Sequence, residues 1–304
     1  MAEVLEVYSM HGHVNAGTVN ETPLDYQWFF RKLPSDPRGV IMLHDYAGRY
    51  DSLWRPRPSA RIVRTKQVVG VGGSCVFLDI AVQYPRSRSV PKGDEEYGVA
   101  CGAPQGDADS DGGVRVFVVP KDRIVFVDSP ASWSILSQIE QALVKYGTEY
   151  LDMRDLTISL NPVPASSFFE KLASVSNITR MTLVMRRPNL TWSEDAKGLI
   201  GDVLARANAD SVTLRLDARS GMGGERDNEL ASTVADHLSS SITGIKDVTM
   251  WSDSGKLSLK QSVLKVRIPH QGGNRYRDVL SSCYSWLLQT SSQIRERGKK
   301  QGHE

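Results

Sequence analysis

Val114-Arg-Val-Phe-Val-Val-Pro-Lys-Asp-Arg-Ile-Val-Phe-Val-Asp-Ser-Pro130 is where this 304-residue chain changes its rhythm. Two runs rich in β-branched and aromatic residues, 114–119 and 124–127, flank a Pro-Lys-Asp-Arg cluster, the pattern of strand, turn, strand. Ser129 and Pro130 then stand in the order of a helix N-cap and a first helical residue. Behind them Trp133, Leu136, Ile139, Leu143 and Val144 fall on one helical face. Strands dominate before this junction and helices alternate with strands after it. The expected fold is therefore α+β: a strand-rich N-terminal half and an alternating helix/strand C-terminal half, with mixed, largely antiparallel sheets.

Working back from the junction, residues 4–8, 40–44, 60–69 and 75–83 are predicted strands separated by Gly, Pro and Asp, with one helix at 24–33. Residues 85–113 are poor in apolar side chains and rich in Gly, Pro, Ser and Asp, which predicts a long mobile loop. Working forward, strands are predicted at 155–160, 178–186 and 212–216, and helices at 165–173 and 228–239. Thr191 and Glu194 have capping-box spacing ahead of an apolar stripe running from Trp192 to Ala207, which predicts a helix there. Residues 248–251 and 256–268 flank an Asp-Ser-Gly turn as a hairpin. A last helix, about 275 to 297, ends in Arg295, Arg297, Lys299 and Lys300, cations favoured near a helix C-terminus. The expected division is a strand-rich domain at 1–120 and an α+β domain at 121–304 with a basic tail.

Composition is that of a globular protein, 40% hydrophobic and 24% charged. No run reaches the roughly 18 to 20 apolar residues of a membrane span, and the N-terminus lacks a basic and then apolar leader layout, so a cytoplasmic protein is expected. Three widely spaced cysteines fit neither a disulfide framework nor a thiolate zinc site and are expected to be small buried hydrophobes. The formal charge of +2 conceals segregation: residues 51–100 carry three excess positive charges and 251–304 six, balanced by acidic blocks elsewhere.

The candidate sites follow from these patterns. Arg55, Arg57, Arg61, Arg64 and Lys66 form a run with no acid, and Arg86 and Arg88 follow the next strand. In an unbroken strand Arg64 and Lys66 point to one face and Arg61 to the other. Such cations can track a phosphate backbone or, equally, guard an edge strand against aggregation. His11 and His13, with His44 and Asp45, could ligate a metal, although histidines in an N-terminal turn are commonly just exposed. Asp107, Asp109 and Asp111 with Gly112 open like a calcium loop, but its twelfth position is Val118, which favours a solvated acidic turn. Arg219-Ser-Gly-Met-Gly-Gly224 lacks the ending of a phosphate-binding loop and reads as a flexible connection. No nucleophile motif occurs.

Arg123-Ile-Val-Phe-Val-Asp-Ser-Pro-Ala, Leu156-Thr-Ile-Ser-Leu-Asn-Pro, Ile178-Thr-Arg-Met-Thr-Leu-Val-Met-Arg-Arg-Pro188-Asn189 and the hairpin 248–268 together resemble a bacterial domain family of uncharacterised function found in phage-defence and abortive-infection loci. More distantly they are similar to the RexA exclusion protein and to RdgC. The resemblance covers a little over half the chain and implies a mixed α+β homodimer that holds duplex DNA without reading its sequence, with no catalytic residue to carry over. The leading expectation is a non-enzymatic, cofactor-free nucleic-acid-binding component of an anti-phage system, acting with a partner protein of the same operon. Its contacts are expected from Arg55, Arg57, Arg61, Arg64, Lys66, Arg86, Arg88, Arg186, Arg187, Arg295, Arg297, Lys299 and Lys300. The alternatives are a metal-dependent nuclease or nucleotide-processing effector using His11, His13, His44 and the 107–111 aspartates, and a protein–protein sensor of a phage component using the 85–113 loop.

Overall fold

The computed structural model describes residues 4–18, 20–33, 59–70, 73–83, 113–128, 133–186, 211–218, 221, 225–239, 245–268 and 286–296. It is an α+β fold built on two antiparallel sheets. The predicted strand at 40–44, the 191–207 helix and almost all of the 85–113 loop lie outside the described residues.

The first sheet is organised by β1 (Val4–Val14). Its order is β12 (Lys265–Arg267), β1, β6 (Ile124–Asp128), β5 (Gly113–Val119), β4 (Gly73–Gln83) and β3 (Ser59–Gly70), with β2 (Thr22–Pro23) and β7 (Thr157–Pro162) also paired to β1. Apolar residues run continuously along β5 and β6 because both faces of the sheet are covered. On one face Tyr8, Met10, Leu78, Val118 and Val125 pack against α1 (Tyr26–Lys32) and α2 (Trp133–Tyr150). On the other, Leu5, Val7, Phe77, Phe117 and Phe126 pack against Leu287 and Leu288 of α5, the described helix at 286–296. The β5–β6 turn closes through Asp122 N donating to Val119 O and Arg123 N to Pro120 O, with Arg123 at φ 59. Asp25 caps α1 by accepting from Trp28 N at 3.0 Å.

The second sheet has the order β11 (Gly255–Ser258), β10 (Ile245–Ser252), β8 (Arg180–Arg186) and β9 (Ser211–Asp217). Its Met181, Val248 and Met250 pack with Phe168 and Leu172 of α3 (Ser166–Ala173) and Ala231 and Val234 of α4 (Glu225–Ser239). The predicted hairpin at 248–268 forms only in its first part. After β11 the chain makes a 3-10 turn, Leu259–Gln261, and leaves for the first sheet, where β12 pairs with β1. The first sheet thus takes β7 and β12 from the second half of the chain, and the two sheets do not part at residue 120.

A buried ion pair joins the two sheets. Lys246 Nζ lies 2.8 and 3.0 Å from the Glu140 carboxylate of α2, which also accepts from Leu160 N of β7 at 2.7 Å. Lys246 occupies a bulge between Ile245 and Asp247. Among the described residues no helix is long and apolar enough to cross a membrane.

Candidate functional site

Alternation along β8 and β10 sends Met181, Leu183, Met185, Val248 and Met250 to the side of α3 and α4, and Arg180, Thr182, Thr249 and Trp251 to the opposite face. Register then assembles that face. Trp251 of β10 stands opposite both Arg180 of β8 and Lys256 of β11, and Arg180 stands opposite Asp217 of β9. The next row is Ser258, Thr249, Thr182 and Arg215. The result is a tryptophan bracketed by cations, with the Arg180 guanidinium 5.4 Å and the Lys256 ammonium 5.6 Å from the ring centroid.

Asp217 draws the two arginines together. Arg180 Nε donates to its Oδ1 at 2.8 Å and Arg215 Nε to its Oδ2 at 2.7 Å, holding the Asp217 carboxyl below the usual carboxylate range, Arg215 first and Arg180 second. Arg180, Arg215 and Lys256 give this exposed corner three cations against the carboxylates of Asp217 and Asp253. Asp253, in the adjoining turn, accepts from Asn177 Nδ2 at 2.7 Å. The face is open at this corner and toward β9, whereas Thr249, Asp247 and Ser258 are buried. Gly221, the described residue of the 219–224 run, lies at φ 79 against Asn177, where a Cβ would sit 1.5 Å from Asn177 Oδ1. That close approach accounts for glycine at this position.

The sequence reading missed Arg180, Arg215, Trp251 and Lys256. Their signal was the period-two alternation of Arg180-Met-Thr-Leu, Thr213-Leu-Arg-Leu-Asp217 and Val248-Thr-Met-Trp251, but which positions become neighbours is a property of register.

Of the predicted contacts, Arg61, Arg64 and Lys66 lie on β3, which ends the described sheet. A bulge between Ile62 and Arg64 resets the alternation. Arg61, Arg64 and Lys66 therefore stand opposite Ala81, Asp79 and Phe77, alternate residues of one β4 face, where an unbroken strand would have divided them. Arg64 also continues a row of alternating charge, because Asp79 stands opposite Arg115 and Arg115 makes a two-pronged pair with Asp128 at 2.9 and 3.0 Å. Arg186 closes β8 opposite Ser211, three rows from that of Arg180 and Trp251. Arg295 belongs to α5 and serves its docking: its Nη1 donates to Lys121 O at 2.9 Å and lies 3.4 Å from Asp122 Oδ1. Ser291 and Ser292 donate to the other oxygen of Asp122. Arg55, Arg57, Arg86, Arg88, Arg187, Arg297, Lys299 and Lys300 lie outside the described residues.

His11 and His13 are in β1 rather than in an exposed turn, and both are 3% exposed. They share a buried polar strip with Ser9, and opposite them stand Thr157, Ser159 and Asn161 of β7. Ser9 Oγ lies 3.1 Å from His11 Nε2, and burial, then His13 and Arg123, lower the His11 pKa to about 3. His11 is thus neutral at physiological pH. Among the described residues no three His, Cys, Asp or Glu side chains are grouped to hold a metal ion. His44, Asp45, Asp107, Asp109 and Asp111 lie outside the described residues. Cys75 is buried, as expected, and burial pushes its thiol up to about 12.

No protein-family model matches the chain and no curated protein matches it. The chemistry of the exposed corner is accordingly what its own side chains dictate: cationic donors to anionic oxygens, around an aromatic ring.

Proposed function

We propose that this protein binds nucleic acid through its phosphates, without reading sequence and without a catalytic step. The observation that carries this reading is the flanking of Trp251 by Arg180 and Lys256, with Arg215 joined to Arg180 through Asp217, on the exposed corner of the second sheet. Cations so placed release counterions when phosphates bind, which gives sequence-independent and salt-dependent affinity. Further support comes from the sequence of β3, which carries Arg61, Arg64 and Lys66 in register with alternate residues of β4, Ala81, Asp79 and Phe77. Duplex DNA, a homodimer that completes the groove and a place in phage exclusion remain part of the proposal on the strength of the second-half resemblance.

The test is a titration of the full chain against duplex and single-stranded DNA of unrelated sequences between 50 and 200 mM salt. The logarithm of affinity should fall linearly with the logarithm of salt, on a duplex by about 0.9 per phosphate contacted. Replacing Arg180, Arg215 and Lys256 together by Ala should flatten that slope by two to three contacts. Binding absent at low salt, or indifferent to salt, refutes the proposal.

A further inference from the structure

We infer that the exposed corner takes an unpaired strand, with a base laid against Trp251 and the flanking phosphates on Arg180, Arg215 and Lys256. This rests on the nucleic-acid reading above and, at this corner, sets an unpaired strand in place of the duplex that the second-half resemblance implies.

Three features carry the inference. The first is the placement of Trp251 on β10, an inner strand of a four-stranded sheet, on the face away from α3 and α4. A surface that only tracks phosphates needs no aromatic there, whereas a ring among cations supplies the π-face on which any base stacks regardless of sequence. The second is the state of the two flanking cations. Lys256 is exposed and has no carboxylate partner among the described residues, so its ammonium can leave the ring for a phosphate and open that side of the indole. Arg180 binds Asp217 through Nε, leaving its terminal guanidinium nitrogens for a second acceptor. The third is the shape of the surroundings. Trp251 stands where the face passes from the buried Thr249 and Ser258 to the exposed Arg180 and Arg215, beside the small Thr182, so the ring borders a ledge and not a closed pocket. In a duplex the bases are already stacked on one another, and bringing one to Trp251 would require flipping it out at a cost of a few kcal/mol. An unpaired strand has no such cost.

The experiment compares a fluorescently labelled 12-nucleotide oligo(dT), the matching oligo(rU) and a 12-base-pair duplex, each titrated with the wild-type chain, Trp251→Ala and Trp251→Phe at fixed low salt. The oligo(dT) should bind more tightly than the duplex. Trp251→Ala should weaken it by about 5- to 150-fold, the range that one stacked base contributes, and Trp251→Phe should retain most of the affinity. The intrinsic fluorescence quench on binding oligo(dT) should be lost in Trp251→Phe, a readout that needs no change in affinity. Comparable behaviour of oligo(rU) would make the site one for unpaired strands of either sugar, and a strong preference for one would restrict the same site to it. If the duplex binds as tightly as the oligonucleotides, or if both Trp251 variants bind like the wild type, the inference is overturned, while salt-dependent binding leaves the phosphate reading standing. If no probe binds, both fall.

Discussion

The two sheets of this molecule solve opposite problems with similar strands. In the first, β5 and β6 are apolar almost throughout because α1 and α2 cover one face and α5 the other. In the second, α3 and α4 cover one face, while the other is buried along β10 as far as Thr249 and opens at its corner and toward β9. Continuous apolar character marks where a sheet is all core, and alternation marks where a face is left over. In this chain the leftover face is where Arg180, Arg215, Lys256 and Trp251 meet.

The sharpest way to test that contrast is to shorten one inward and one outward side chain on comparable strands. Phe126→Ala in β6, whose side chain is fully buried between sheet and α5, should cost about 3 to 5 kcal/mol in urea unfolding. Thr182→Ala on the open face of β8 should stay within about 0.5 kcal/mol. Equal effects would erase the distinction between the two sheets.

The second test cuts the tie between them. Lys246→Met leaves the Glu140 carboxylate buried without its cation and should destabilise by about 3 to 5 kcal/mol, whereas Lys246→Met with Glu140→Leu should recover much of that loss. The recovery should be incomplete because Glu140 also accepts from Leu160 N. A double variant no better than the single would mean that the pair is not what couples the sheets.

A smaller effect distinguishes the polar strip on β1 from its apolar neighbours. The His11 pKa is lowered to about 3 in the folded protein, against roughly 6.5 for an unfolded chain. Between those values the unfolded chain holds a proton that the folded one does not. The stabilisation is therefore complete above about pH 6.5 and declines as pH falls, by up to about 1.4 kcal/mol per pH unit. Urea midpoints at pH 7 and 5 should reveal a loss of about 2 kcal/mol, and His11→Gln should remove that pH dependence. An unchanged slope in His11→Gln would assign it to other groups.

How much of this was legible in the chain follows from the same contrast. The strands of the first sheet could be read because long β-branched runs need no partner to declare themselves: residues 75–83 and 114–119 were expected and β4 and β5 lie there. What failed was anything set by a single-residue irregularity. The β3 bulge at Ile62/Arg64 shifts the pairing register by one residue and leaves no mark in composition, so Arg61 was expected to part from Arg64 and Lys66. The arm after Gly255 read as one strand to 268, yet the 3-10 turn at Leu259–Gln261 divides it between two sheets. His11-Gly-His13 was placed in an N-terminal turn, past a strand expected at 4–8, whereas β1 runs on to Val14. Gly12 is instead needed for close packing, since a Cβ there would lie 3.1 Å from Leu24 Cδ2 and 3.2 Å from Thr157 O. Alternation on β8, β9 and β10 was visible strand by strand, but the meeting of Trp251 with Arg180 and Lys256 depends on register.

The crossing of β12 back onto β1 also sets an order of events during synthesis. Residues 4–6 leave the ribosome about 260 residues before their partners at 265–267 and before the α5 residues that roof Leu5, Val7 and Phe126. Until those residues are made, that greasy side of the first sheet has no roof, and β1 waits for β12. Pairings this distant along the chain close slowly, which keeps the apolar face uncovered for longer in the nascent protein.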